Sequence, residues 1–302
     1  MEDMITGLCP QCGHTLHIPA ELASFSCMYC GARLTKEQLA AEPPAAQEAD
    51  EDRAVYYDRA VSRLGWCIKN FGGYQKKIMR DVFFEAFETY ETGCAPVIQE
   101  LARGVAPEQQ TQLLGRAAAA MLDELEAGWQ KKGDMEDEKI VLAIFFVPMV
   151  RKQQLPISEE FVTILQKQWV ERYPKSPFYL GDYESISGGF RKKFLGLCFI
   201  TTAVCQELGK PDDCEELTAF RAFRDGYLRS QPDGEALIRE YYNIAPGIVT
   251  CINTCSDRHA SYARIREEYL APCYQDLLAG RNESCKARYV RMVRDLEREY
   301  LS

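Results

Sequence analysis

From Ala54 onward the apolar residues recur with a helical period. Tyr57, Val61, Leu64 and Ile68 fall on one face, and Gly72-Gly73 interrupts them. Ile78, Val82, Phe83, Ala86, Phe87 and Tyr90 form a second stripe, and Pro96 to Ala102 suits a short third helix. Residues 108–130 predict a fourth, with Leu113, Leu114, Ala117, Met121, Leu125 and Trp129 along its stripe. Asp134 is placed to cap a fifth over 135–150, which Pro148 should end or kink. Ser158 is placed to cap a sixth, with Phe161, Ile164, Leu165 and Trp169 facing inward. Residues 173–190 read as a loop, punctuated by Pro174, Pro177, Gly181, Gly188 and Gly189. Beyond it, Asp213 with Glu216 has the form of a capping box ahead of Leu217, Phe220, Phe223 and Tyr227. Asp233 opens another helix that should end before Pro246, and two more follow near 257–279 and 283–301. The last carries Cys285, Tyr289, Met292, Leu296 and Tyr300 on one face. Strand-like alternation occurs only in the first 38 residues, at Leu16 and Ile18.

These patterns predict an all-α main body, a helical bundle of one or two subdomains, behind a small N-terminal four-cysteine zinc ribbon. The expected boundaries are a ribbon over 1–38, an acidic linker over 39–53, a helical domain over 54–190 and a second over 191–302. Pro43 and Pro44 oppose helix in the linker, and five acids crowd residues 40–53. Composition agrees with a folded chain: of 302 residues, 46% are hydrophobic and 27% charged, which argues against disorder. The longest apolar run, Ile140 to Val150, is too short to cross a bilayer and reads as a core helix. A net charge of −9 gives no support to broad binding of nucleic acid or anionic lipid. Thirteen cysteines, an odd number, and an acidic start with no apolar leader point to free thiols in a reducing cytoplasm.

Four of those cysteines come in tight pairs. Cys9-Pro10-Gln11-Cys12-Gly13 and Cys27-Met28-Tyr29-Cys30-Gly31 give the spacing C-x2-C-x14-C-x2-C. Two thiolates two residues apart can chelate one ion from a tight turn, and the following Gly relieves that turn. Two such turns make a closed tetrahedral site with no open position, so zinc held by Cys9, Cys12, Cys27 and Cys30 is structural rather than catalytic. A unit of this size falls below the length that usually folds alone, and zinc adds on the order of 10–16 kcal/mol to such units. His14 and His17 read as surface residues, because four thiolates already fill the shell. Arg33 and Lys36 face Glu2, Asp3, Glu21 and Glu37, so the ribbon lacks the basic, aromatic-interleaved surface that nucleic acid requires.

The C-terminal third carries a second pattern. Residues 198–205 read Cys-Phe-Ile-Thr-Thr-Ala-Val-Cys. They are followed by Leu217-Thr-Ala-Phe220-Arg221-Ala-Phe223-Arg224-Asp225, then by Tyr241-Tyr242-Asn-Ile-Ala245-Pro246. The three parts, in this order over about residues 196–250, resemble the bacterial CFI-box proteins. That resemblance implies a bacterial source and a helical domain, and little mechanism, since the family is largely without an assigned activity.

Read from the residues alone, this region suggests a polar cluster. Cys198 and Cys205 share a helix face, with Thr201 and Thr202 between them. Arg221 and Arg224 lie one turn apart with Asp225 adjacent, and Tyr241 and Tyr242 follow. A buried arginine needs partners, so Arg224, Asp225, Thr202 and a tyrosine should gather around Cys198. The cluster is read first as a structural network with Cys198 as a small buried hydrophobe. The alternative is a thiol enzyme in which Cys198 works in a pocket with Arg221, Arg224 and Asp225, and His259 is the obvious base. Cys251 and Cys255, at i and i+4, suit a metal pair but lack a second pair, and read as buried free thiols with Cys67, Cys94, Cys214, Cys273 and Cys285. Gly188-Gly189-Phe190-Arg191-Lys192-Lys193 lacks phosphate-loop spacing. The expectation is therefore a cytoplasmic module that binds a protein, or a small-molecule ligand, with structural zinc. The module is read as non-enzymatic, with the thiol enzyme as the alternative; nucleic acid is a disfavoured partner and a membrane is none.

Overall fold

Alternating apolar residues in the first segment build hairpins. The structure is a computed structural model that describes residues 4–10, 15–28, 31–39, 50–131, 133–191 and 198–302. Strand β1 (Met4–Leu8) pairs antiparallel with β2 (Thr15–Pro19), setting Ile5 opposite Ile18 and Gly7 opposite Leu16. Strand β3 (Ser24–Ser26) pairs with β4 (Arg33–Thr35), setting Phe25 opposite Leu34. Cys9 follows β1 and Cys27 follows β3, so each hairpin turn begins at the first cysteine of a pair. Cys9, Leu16, Cys27 and Leu34 form a small buried cluster. The second turn is tight: the Gly31 N–H donates to the Cys27 carbonyl and the Cys27 N–H to that of Ala32, both at 2.8 Å. Gly31 adopts φ +75°, a conformation that favours glycine. Cys12, Cys30 and His14, most of the acidic linker (40–49), and Lys192-Lys193 lie outside the described residues.

Contacts divide the chain into two compact units, Met1–Arg53 and Ala54–Ser302. The second is helical. Helix α1 (Asp50–Leu64) begins inside the acidic stretch, and the short α2 (Trp66–Lys69) follows. Next come α3 (Phe83–Gly104), α4 (Gln110–Gly128), α5 (Asp134–Val141), α6 (Val147–Lys152) and α7 (Ser158–Arg172). Then come α8 (Tyr183–Arg191), α9 (Phe199–Glu207), α10 (Glu215–Ala222) and α11 (Gly234–Cys255). Last are α12 (Arg258–Ile265), α13 (Ala271–Leu278) and α14 (Asn282–Tyr300). Three π turns, Leu142–Phe146, Phe223–Tyr227 and Arg266–Leu270, join α5 to α6, extend α10, and join α12 to α13.

Several expectations from local signals are overruled by burial. Helix α3 runs unbroken through Pro96, although two helices were expected. An interior proline costs about 3 kcal/mol. Val97, Ile98 and Leu101 are each fully buried, and each such side chain contributes about 1.5–3 kcal/mol. Helix α11 likewise continues through Pro246 with Ile244, Ile248 and Ile252 buried. Pro148 neither ends nor breaks its helix, because the π turn before it loosens the carbonyl ladder that its ring would strike. Residues 183–190, read as loop, are helical and belong to α8. Asp182 accepts from the Ser185 N–H at 2.8 Å, capping α8, and Phe190 stacks on Phe83 with centroids 4.2 Å apart. That burial outweighs the roughly 1 kcal/mol that each of Gly188 and Gly189 costs in a helix. The capping box at Asp213 does not form: Glu216 pairs with Lys210 instead. Asp233 accepts from Lys286 Nζ at 2.7 Å rather than capping α11 by its side chain.

Candidate functional site

The site grows from the start of α9. Helix N-termini leave backbone N–H groups without partners. Cys198, at the N-cap position, offers no side-chain cap, and the Tyr241 hydroxyl on α11 supplies one by accepting from the Ile200 N–H at 3.0 Å. Thr201 Oγ1 and Tyr289 Oη, from α14, lie 3.1 Å apart. The box is thus pinned through its polar atoms to tyrosines of two other helices.

Arg224 sits in the π turn that extends α10 and is 7% exposed. Its Nε and Nη2 grip both oxygens of Asp225 at 2.8 and 2.6 Å. Its Nη1 donates to Tyr242 Oη at 3.0 Å and to Cys198 Sγ at 3.4 Å. The structure therefore brings Cys198, Arg224, Asp225 and Tyr242 together in one network. Burial pushes the Cys198 thiol up, and the opposing pull of Arg224 and Arg221 does not reverse it. Asp225 is held below its ordinary range by the Arg224 hydrogen bonds.

Three expected members are not brought into contact. Arg221 donates to the Asp212 carbonyl and carboxylate at 2.7 and 2.8 Å and reaches Cys198 only through space. Thr202 Oγ1 is buried with no hydrogen-bond partner. His259 is an exposed side chain with Nδ1 3.3 Å from Glu207 Oε1. Glu207 ends α9, nine residues past Cys198, or about 13 Å along the axis. His259 is not the base of Cys198.

Beside the network lies an apolar pocket of about 60 Å³. Cys198 and Arg224 meet Phe220, Phe223, Tyr241 and Val293 in its lining. Glu240 and Arg294, paired with each other, also border it. The volume suits a small apolar group rather than an extended substrate.

One cluster carried no signal in the sequence. Lys139 is 3% exposed, and its Nζ donates to Ser176 Oγ at 2.7 Å and pairs with Glu136 at 2.5 Å. Ser176 donates to Glu136, and the Trp169 indole donates to the Ser176 carbonyl at 2.7 Å. These groups satisfy one another, and the cluster works as a strut between α5 and the segment after α7. A lysine in a charged stretch of α5 looks solvated until α7 is packed against it.

Cys9 and Cys27, the described half of the four-cysteine set, are 1% and 2% exposed and pack with Leu16 and Leu34 in one cluster. Among the described residues no group of three or more His, Cys, Asp or Glu is arranged to hold a metal ion. Cys251 donates to the Tyr300 carbonyl at 3.6 Å and Cys255 lies 3.4 Å from Thr254 Oγ1, so this pair is committed to packing. No protein-family model, curated protein or solved structure matches the chain. No helix among the described residues is long and apolar enough to cross a membrane.

Proposed function

We propose that this chain is a non-catalytic binding module of the CFI-box kind, working in a bacterial cytoplasm, with structural zinc on its N-terminal ribbon. Its site is the apolar pocket beside Cys198, and its partner presents a small apolar group there, either a protein side chain or part of a small ligand. The observation that carries the reading is the state of Cys198: 4% exposed, its thiol pushed up by burial, with no base in contact among the described residues. The guanidinium above it is already matched by Asp225. A nucleophilic thiol needs the opposite environment, electropositive and accessible. Zinc would be held by Cys9, Cys12, Cys27 and Cys30 and would supply folding energy rather than chemistry. The charge of −9 weighs against nucleic acid as the partner.

The Arg224–Sγ contact at 3.4 Å is what favours the second reading, a thiol enzyme built on Cys198, Arg224 and Asp225. Arg221 adds little to that reading, since Asp212 holds its guanidinium. Thiol labelling at neutral pH on zinc-loaded protein, with sites mapped by mass spectrometry, separates the two. The binding reading expects Cys198 to stay unlabelled until the chain is denatured. Labelling of Cys198 well ahead of the other buried cysteines would sink it and install the enzyme.

A further inference from the structure

Among the described residues, three pairs of cysteines in the helical unit sit thiol to thiol. Cys67 with Cys94 and Cys273 with Cys285 are hydrogen-bonded pairs in which all four residues are fully buried. The third differs. Cys205, on the last turns of α9, is 2% exposed, while Cys214, at the N-cap position of α10, is only partly buried. Their sulfurs are 3.9 Å apart.

The connection between them is built tightly. The Lys210 N–H donates to the Cys205 carbonyl at 2.9 Å and the Cys214 N–H to that of Pro211 at 3.1 Å. Gly209 turns the chain at φ +68°. The Lys210–Glu216 ion pair spans the same turn. The two sulfurs are thus held close by a turn of ten residues, one in a buried residue and the other in a partly buried one.

We infer that Cys205 and Cys214 form a reversible oxidation site, which takes a small-molecule disulfide as its reactant and closes to an internal disulfide. The Cys214 thiolate attacks one sulfur of the reagent RSSR, forming a mixed disulfide and expelling RS⁻. The Cys205 thiol gives up its proton, and its sulfur attacks the Cys214 sulfur and expels the second RS⁻. Two protein thiols are oxidised to one disulfide and RSSR is reduced to two RSH, which carry the two protons. The sulfurs must approach by about 2 Å, within reach of side-chain rotation and a small shift of the turn. The buried pairs cannot follow the same course, because no reagent reaches either member.

The site is distinct from the pocket, but the bond would join two of the helices that carry its polar network: Cys198 is the N-cap of α9, and the π turn that extends α10 holds Arg224.

The test is exposure of the zinc-loaded full chain to 2-hydroxyethyl disulfide, followed by peptide mapping without reduction. The expected product is a Cys205–Cys214 linked peptide, with Cys67, Cys94, Cys273 and Cys285 still free. Cys205→Ser should stop at a stable mixed disulfide on Cys214, and Cys214→Ser should leave Cys205 unmodified. A wild-type chain that holds the mixed disulfide on Cys214 without closing, or that leaves Cys214 free, overturns the inference. So does oxidation of the buried pairs as fast as this one. The wild-type map decides the matter even if a variant fails to fold.

Discussion

Arg224 is the residue on which the polar network turns, and its bond to Asp225 has a pH signature. Asp225 is held below its ordinary value of 3.8 by the Arg224 hydrogen bonds. A depressed carboxyl contributes stability that is present above the unfolded value and lost as pH falls through the folded one. The contribution therefore disappears on the acid side, below about pH 4. Asp225→Asn should lower stability at pH 7 and flatten its fall between pH 4 and pH 2, read by urea unfolding at each pH. An unchanged acid limb would show that the pair contributes nothing. The residues of this network were legible because buried Arg, Asp and Tyr side chains must find one another. Cys198, Arg224, Asp225 and Tyr242 meet as the motif spacing suggests. Neither threonine joins them: Thr201 pairs with Tyr289, and Thr202 Oγ1 is buried without a hydrogen-bond partner. Lys139 stayed hidden, since its partner Ser176 comes from a segment 37 residues away.

At the scale of elements, regular periodicity was readable and its interruptions were not. Arg221 and Arg224 would share a face on a straight α-helix, but Phe223 opens a π turn and the two side chains part, one to Asp212 and the other to Cys198. A helix of changing pitch cannot be seen in a fixed 3.6-residue period. Prolines misled in the opposite direction: at Pro96 and Pro246 tertiary burial held the helix through a residue that breaks isolated ones. Helix α11 also depends on a close approach. A Cβ on Gly247 would lie 1.9 Å from the Ile78 carbonyl oxygen, whereas one on Gly188 would meet nothing within 4 Å. Gly247→Ala should cost about 1–3 kcal/mol by forcing backbone apart. Gly188→Ala, inside α8, should be neutral or add up to about 1 kcal/mol. Equal stabilities of the two variants in urea unfolding would refute the contact.

For the molecule as a whole, the division into a β-rich segment and a helical body was plain from the change of period near residue 54. The two units make metal dependence separable. If zinc is held by the four ribbon cysteines, a chelator should remove one equivalent per chain and abolish amide-exchange protection in β1–β4. The helical circular dichroism of the body should persist. A chelator that leaves the ribbon protected would remove zinc from its stability. The body itself is joined across long stretches of chain. The Arg80 N–H donates to the Asn243 carbonyl, that of Asp81 to the Asn243 side chain, and that of Tyr179 to the Thr254 carbonyl, at 3.0, 3.1 and 2.7 Å. During synthesis, the groups near residue 80 wait for α11, over 150 residues later. At the usual rates of translation that is a delay of roughly 10–30 s. For that interval the emerging helices expose the faces α11 will cover, which makes the nascent chain a natural client of ribosome-associated chaperones.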